Sequence, residues 1–207
     1  MKKNNGIYSY LQVDNRPRKR KVQSLYYNTA RALLSPSLES GVVTIVDLPS
    51  LALLDGSSYS RMAEQGLTIG RYYAYENNCS IIQRLRKAKR PSFVYLRNAN
   101  IINALWQASK QPSTRERWGS NGVHLFNLDF CQTITPNEAY WIAEGISVTA
   151  AEQCIAIITY SPRCNFSQKA SVTIDNNMRR IGFNKIFDQG YRDTAPMKSC
   201  MYFRSNS

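Results

Sequence analysis

VHLFNLDFCQTITPNEAYWIAEGISVTAAEQCIAIITY, residues 123–160, is the stretch on which the fold turns. It opens with Val123-His124-Leu125-Phe126-Asn127-Leu128, an apolar run that stops at Asp129 and reads as a strand buried on both faces. Pro136 then opens a helical segment, with Thr135 placed to cap it and Glu138, three residues on, placed to complete a capping box. Cys154 to Tyr160 is a second unbroken apolar strand. A helix between two strands is the crossover that parallel neighbours need, so this unit predicts a parallel sheet covered by helices.

The same alternation extends upstream. Val42-Val43-Thr44-Ile45-Val46 is a β-branched run ending at Asp47-Leu48-Pro49, residues 67–75 form a strand ending at Glu76, and Ser92-Phe93-Val94-Tyr95-Leu96 forms the next. Between them lie a short helix over residues 58–65 closed by Gly66, a helix over 79–88 with Ile81, Ile82 and Leu85 on one face, and a helix over 101–108. Ahead of all of these, Val22, Leu25, Tyr26, Ala30, Leu33 and Leu34 recur at helical spacing, and Ser35-Pro36 ends that helix. Downstream, a helix finishes at residues 178–182. Residues 183–191 and 197–203 then read as two strands whose short link, Arg192 to Pro196, makes them an antiparallel pair at the sheet edge. The expected fold class is α/β: a Rossmann-like, doubly wound, mostly parallel sheet of about seven strands with a C-terminal antiparallel hairpin. Residues 22–207 are expected to form a single domain behind a basic arm, residues 1–21.

With 207 residues, 43% of them hydrophobic and 20% charged, the chain has the composition of a folded globular protein. No apolar run approaches the ~18 residues that span a bilayer, and no apolar stretch of signal-peptide length follows the N-terminus, so a cytoplasmic protein is expected. Five scattered cysteines without a C-x-x-C pair, and one histidine, form no zinc pattern. No metal is expected, and most of the thiols read as buried and reduced.

Lys and Arg number 27 against 14 Asp and Glu, a formal charge of +13, and nucleic acid is the polyanion that fits best. A membrane surface would require an amphipathic helix with a basic face, and solubility alone is the plainer alternative. The cations cluster. Arg16, Arg18, Lys19, Arg20 and Lys21 surround Pro17, which, with so much like charge, disfavours regular structure there and places them on the arm as candidate nucleic-acid contacts. Arg84, Arg86, Lys87, Lys89 and Arg90 form a second cluster before Pro91, and Lys110, Arg115 and Arg117 a looser third.

In an open α/β sheet ligands bind beyond the carboxyl ends of the strands. That rule selects Asp47-Leu48-Pro49, Glu76, Arg97 to Asn100, Asp129-Phe130-Cys131 and Ser161-Pro162. On these residues the chain resembles the class I S-adenosylmethionine-dependent methyltransferases, over roughly residues 22–203. The resemblance implies that Glu76, ending the second strand, holds the cofactor ribose, since a carboxylate accepts from two vicinal hydroxyls. It implies an adenine contact at Asn98 or Asn100, a cofactor loop at Asp47, Leu48 and Pro49, and Asp129 beside the transferred methyl group. It places residues 190–197 in the family's terminal hairpin connection.

The family's glycine-rich turn is replaced here by Asp47 to Ser57, whose single glycine is Gly56. Around Asp129 several chemistries are open. The carboxylate accepts from a target amine, Phe130 stacks on an extruded base, or Cys131 acts as a thiolate on a pyrimidine ring, although such sites place proline where Phe130 stands. Each strand-end residue also has a structural role to offer, as a turn cap or an ion-pair partner. The function expected is a methyltransferase-like protein acting on nucleic acid. The alternative is a non-catalytic nucleic-acid-binding protein on the same fold, and a third is a metal held by Asp47, Glu76 and Asp129 for phosphodiester hydrolysis. His124, inside its strand, reads as packing rather than chemistry.

Overall fold

The structure is a computed structural model that describes residues 17–34, 42–49, 63, 66–111, 113, 118–119, 121–163, 165–192 and 195–205. The predicted helix over 58–65, apart from Ala63, and most of the Asp47 to Ser57 loop lie outside the described residues, as do Arg16, Arg115 and Arg117.

The elements run α1 (Pro17–Leu34), β1 (Val42–Asp47), β2 (Thr68–Glu76), α2 (Cys79–Lys87), β3 (Val94–Asn98), α3 (Ile101–Lys110), β4 (Val123–Asp129), α4 (Pro136–Thr149), β5 (Ala150–Tyr160), α5 (Asn165–Arg180), β6 (Asn184–Arg192) and β7 (Pro196–Arg204). They build one seven-stranded sheet in the order β3-β2-β1-β4-β5-β7-β6. Strands β1 to β5 are mutually parallel, and β7 inserts antiparallel between β5 and the edge strand β6. The predicted α/β class, mostly parallel sheet and terminal hairpin are all present. Thr135 and Glu138 close the predicted capping box reciprocally: Glu138 N–H donates to Thr135 Oγ1 at 3.2 Å and Thr135 N–H to Glu138 Oε2 at 2.7 Å.

Strand residues alternate between two cores, the period of two that a sheet covered on both faces requires. Val43 and Ile45 of β1, Tyr72 and Ala74 of β2, Leu125 of β4 and Ile155 and Ile157 of β5 pack with Tyr26, Tyr27, Ala30 and Leu34 of α1 and Ile81 and Leu85 of α2. Val46, Tyr73, Tyr75, Phe126, Leu128, Ala156 and Ile158 pack on the other face against α3, α4 and α5. On that second face Gly145 lets α4 touch α3: a Cβ there would stand 2.3 Å from Leu105 Cβ and 2.6 Å from its backbone carbon.

The arm expected over residues 1–21 is corrected at its C-terminal part. Pro17 is the first residue of α1, so Arg18, Lys19, Arg20 and Lys21 belong to the helix. Proline is suited to a first helical turn, where its missing N–H has no intrahelical partner to lose and its φ is already helical. Among the described cysteines, Cys154 and Cys200 are buried and free as expected, whereas Cys131 is half-buried and Cys79 exposed. No helix among the described residues is long and apolar enough to cross a membrane.

Candidate functional site

The parallel strands bring their carboxyl ends to one rim, which carries Asp47, Glu76, Asn98 and Asp129. Counting by twos from the residues that pack under α1 and α2 places Asp47, Glu76, Asn98, Asn127 and Asp129 on that same face. The polar strand ends therefore share one face as well as one rim.

Asp47 is wholly buried. Tyr72 donates its hydroxyl to Asp47 Oδ2, and Asn127 Nδ2 donates to Asp47 Oδ1 at 2.8 Å and, more weakly, to Tyr27 Oη at 3.4 Å. A buried carboxylate is tolerated only when its oxygens are satisfied, and this network satisfies both while tying α1, β4, β1 and β2 together. Leu48 N–H donates to Asn127 O at 3.2 Å, its side chain packs into the core under α3 to α5, and Pro49 is buried. Of the expected cofactor residues, Asp47 and Leu48 thus tie β1 to its neighbours at the switch point.

Glu76 is placed differently. It is half-buried, and its Oε1 accepts the Asn78 N–H at 2.7 Å. Burial raises its pKa above the ordinary carboxylate value, outweighing the backbone hydrogen bonds from Asn78 and Asn77 that lower it. Among the described residues it forms no ion pair. Asn98, exposed at the end of β3, lies opposite it in register. Asn100 is engaged in the backbone, its Oδ1 accepting from Ile102 N–H at 2.8 Å and Asn103 N–H at 3.2 Å as the N-cap of α3. Of the two expected adenine contacts, Asn98 alone presents a side chain not engaged as a helix cap.

At the end of β4 the structure joins two features that lie far apart in the sequence. Lys19, from the basic cluster, forms an ion pair with Asp129, and the two side chains are only 10% and 9% exposed. The Cys131 thiol donates to Asp129 Oδ1 at 3.4 Å. Cys131 takes φ 45°, a left-handed conformation uncommon outside glycine, as the chain turns out of β4. Phe130 donates its N–H to Thr159 O at 2.9 Å and packs against the core under α3 to α5, away from the Asp129 side of the sheet. Beneath α1 a recess opens beside Asp129, lined by Gln23, Tyr26, Asn127, Thr159 and Ser199 among others. Its floor is knitted by Thr159 Oγ1 to Ser199 Oγ at 2.7 Å and by the Tyr26 hydroxyl to Ser199 O at 2.9 Å, and burial pushes that hydroxyl up to about 12.

The rest of the first basic cluster is divided. Arg18 donates to Arg192 O at 2.9 Å, while Arg20 and Lys21 are exposed. His124 sits away from the rim, where its Nδ1 accepts the Thr44 N–H at 3.1 Å, and burial lowers its pKa. Among the described residues no group of three or more His, Cys, Asp or Glu gathers in metal-binding geometry, and Asp47, Glu76 and Asp129 do not converge.

The residues missed by reading the sequence are Tyr27, Tyr72 and Asn127, which hold Asp47. Asn127 had a signal available, because it lies two before Asp129 and must share its face.

No protein-family model matches the chain, and no curated protein matches it significantly. Solved structures do. An rRNA methylase from Streptococcus thermophilus aligns over 88% of this chain and 95% of its own, with a TM-score of 0.55 at 11% identity. Magnesium protoporphyrin IX methyltransferase from Synechocystis PCC 6803, solved with S-adenosylmethionine bound, aligns over 99% of this chain and 86% of its own, with a TM-score of 0.58 at 12% identity. The fibrillarin pre-rRNA processing protein of Methanococcus jannaschii aligns over 80% and 67%, with a TM-score of 0.54 at 12% identity. At these identities the likeness is one of fold, and the chain has the fold of the class I methyltransferases.

Proposed function

We propose that this chain is a methyltransferase-like protein that takes S-adenosylmethionine at the carboxyl ends of β1 to β3 and acts on nucleic acid. The observation that carries the reading is Glu76: a half-buried carboxylate at the end of β2, free of ion pairs among the described residues and opposite Asn98. Such a group suits the two vicinal hydroxyls of a ribose, and Asn98 beside it offers both a donor and an acceptor to a base. When bound, the cofactor supplies an electrophilic methyl group on a sulfonium. What the chain would contribute is position: Glu76 to fix the sugar, and Asp129 to orient an attacking amine. The formal charge of +13 is what favours a nucleic-acid target over a small molecule, since the fold neighbours include both rRNA-related proteins and a porphyrin methyltransferase.

Calorimetry with S-adenosylhomocysteine tests the cofactor. Binding that is lost in Glu76→Ala supports the reading, and absence of heat at near-millimolar ligand overturns it. Asp129→Ala is expected to abolish methyl transfer while leaving nucleic-acid affinity nearly intact, and unchanged turnover would remove Asp129 from its role.

A second reading, a non-catalytic nucleic-acid-binding protein on the same fold, is favoured by one observation. Asp129 is already paired with Lys19, so the carboxylate that would receive the target amine holds a cation of the chain's own. Nucleic-acid binding without any cofactor heat would select this reading.

A further inference from the structure

Residues 77–115, between Glu76 and Glu116, contain no acidic residue and eight cations: Arg84, Arg86, Lys87, Lys89, Arg90, Arg97, Lys110 and Arg115. Most of this charge gathers at one edge of the fold. Arg84, Arg86 and Lys87 occupy the last turn of α2, where cations complement the helix dipole, and Lys89 follows; all four are at least partly exposed. Arg90 is structural, donating to the carbonyls of Leu85 at 3.2 Å and Arg86 at 3.4 Å. Among the described residues, none of Arg84, Arg86, Lys87, Lys89 or Arg97 takes part in an ion pair. The first cluster differs, with Lys19 held by Asp129 and Arg18 by a backbone carbonyl.

Immediately after this cluster comes β3, the edge strand of the sheet. It carries Tyr95, a ring left 40% exposed yet stacked on the buried Tyr73 at 5.2 Å between centroids, with the Arg97 guanidinium 5.5 Å from the same Tyr73 ring. The chain turns tightly between them, Val94 N–H donating to Pro91 O at 3.1 Å, and six residues of chain limit the Lys89 to Tyr95 separation to about 20 Å.

We infer that the last turn of α2 and the β3 edge form a docking surface for single-stranded nucleic acid, with Arg84, Arg86, Lys87 and Lys89 on phosphates and Tyr95 stacked against a base. Val94 faces α2, so Tyr95, one residue on, faces the other side of the sheet with Tyr73, and a nucleic-acid strand reaches from the α2 cations to the ring by crossing the exposed β3 edge. Charge that tracks the backbone and a ring that takes any base are the combination single strands use. A duplex keeps its bases paired and offers Tyr95 nothing to stack on. The β-strand that carries Tyr95 ends at Asn98 on the rim, opposite Glu76 in register. The inference shares with the proposed function its nucleic-acid partner, and it does not depend on methyl transfer.

The test is fluorescence anisotropy with a labelled single-stranded RNA oligonucleotide and its duplex over a range of salt. Arg84→Gln/Arg86→Gln/Lys87→Gln, which leaves the capping Arg90 in place, is expected to weaken single-strand binding and to flatten the slope of log affinity against log salt by about 2, at roughly 0.7 per phosphate contact. Tyr95→Ala is expected to lower affinity about fivefold or more with the slope unchanged, and Tyr95→Phe to retain it. Arg18→Gln/Arg20→Gln/Lys21→Gln is expected to matter less than the α2 variant. Wild-type affinity in the α2 variant or in Tyr95→Ala, tighter binding of the duplex, or binding only to phosphatidylserine vesicles would overturn the inference. Calorimetry with S-adenosylhomocysteine on the same variants keeps the two apart: cofactor binding retained with RNA binding lost supports this surface, whatever the outcome for transfer.

Discussion

Lys19→Met removes one half of a buried ion pair while keeping most of the apolar stem, and its consequence follows from the burial of both partners. With Lys19 10% and Asp129 9% exposed, the variant strands a carboxylate under α1 without a counter-charge. Breaking a buried pair from one side costs about 3–5 kcal/mol, and a position at the rim, where water can reach on relaxation, argues for about 3 kcal/mol. For a chain of this size that is a fall in Tm of roughly 6–12 °C. Asp129→Asn should cost a similar amount. The double variant Lys19→Met/Asp129→Asn should lose clearly less than the sum, because neither charge is left alone. Urea denaturation followed by circular dichroism measures all four proteins. A Lys19→Met protein within about 0.5 kcal/mol of the parent, the range of ordinary surface substitutions, would refute the reasoning and return residues 17–21 to an exposed arm.

Three other outcomes are expected. Gly145→Ala should destabilise by about 1–3 kcal/mol in urea, where an ordinary helical position gains about 1 kcal/mol from the same change, because the new Cβ meets Leu105 backbone and side chain; a gain would mean that α3 and α4 stand further apart. His124, whose pKa burial lowers, should make stability fall as pH drops below about 6.5, since the unfolded chain takes up that proton first, and the loss should continue down to the folded-state value. In His124→Asn, whose amide oxygen can still accept the Thr44 N–H, that part of the pH dependence should vanish, and identical urea midpoints in the two proteins across this range would exclude it. Thiol alkylation mapped by mass spectrometry should label Cys79 in the native protein and reach Cys154 and Cys200 only on unfolding, burial having pushed the Cys200 thiol up to about 11; native labelling of Cys154 would contradict the packing under α4 and α5.

The parts of the fold legible in the sequence were those fixed by neighbouring residues. The Val42 to Val46 run, the Thr135 and Glu138 pair and the five-residue link from Arg192 to Pro196 each carry their meaning within a few positions. Strand order does not, because it depends on how successive crossovers stack rather than on any one of them. The start of α1 was misread for a related reason. Pro17 and four consecutive cations oppose a helix locally, and the first turn contains no acid to meet its dipole. What offsets them lies at Asp129, over a hundred residues away, and at the carbonyl of Arg192. The candidate site divides along the same line: Glu76 keeps the environment its strand end suggested, whereas Asp47 and Asp129 acquire partners that only the tertiary fold brings to them.

That division has a geometric cause which bears on function. The order β3-β2-β1-β4-β5-β7-β6 splits the rim at β1, with α2 covering the β2 and β3 side and α1 lying over β4, β5, β7 and β6. Glu76 and Asn98 stand on the first half, where Glu76 Oε1 accepts the N–H of Asn78, the N-cap of α2. Asp129 stands on the second, under the N-terminal turn of α1 and its lysine. Glu76 and Asn98, proposed to hold the cofactor, lie on the first half, and Asp129, proposed to orient the methyl acceptor, on the second. The two proposed readings therefore agree about the half that α1 leaves alone, and they part at Asp129: a catalyst must let an incoming amine replace the Lys19 ammonium, and a binding protein need not. Cofactor binding alone would establish a ligand for the first half, and methyl transfer that is lost in Asp129→Ala is the result that would favour the catalytic reading over the binding one.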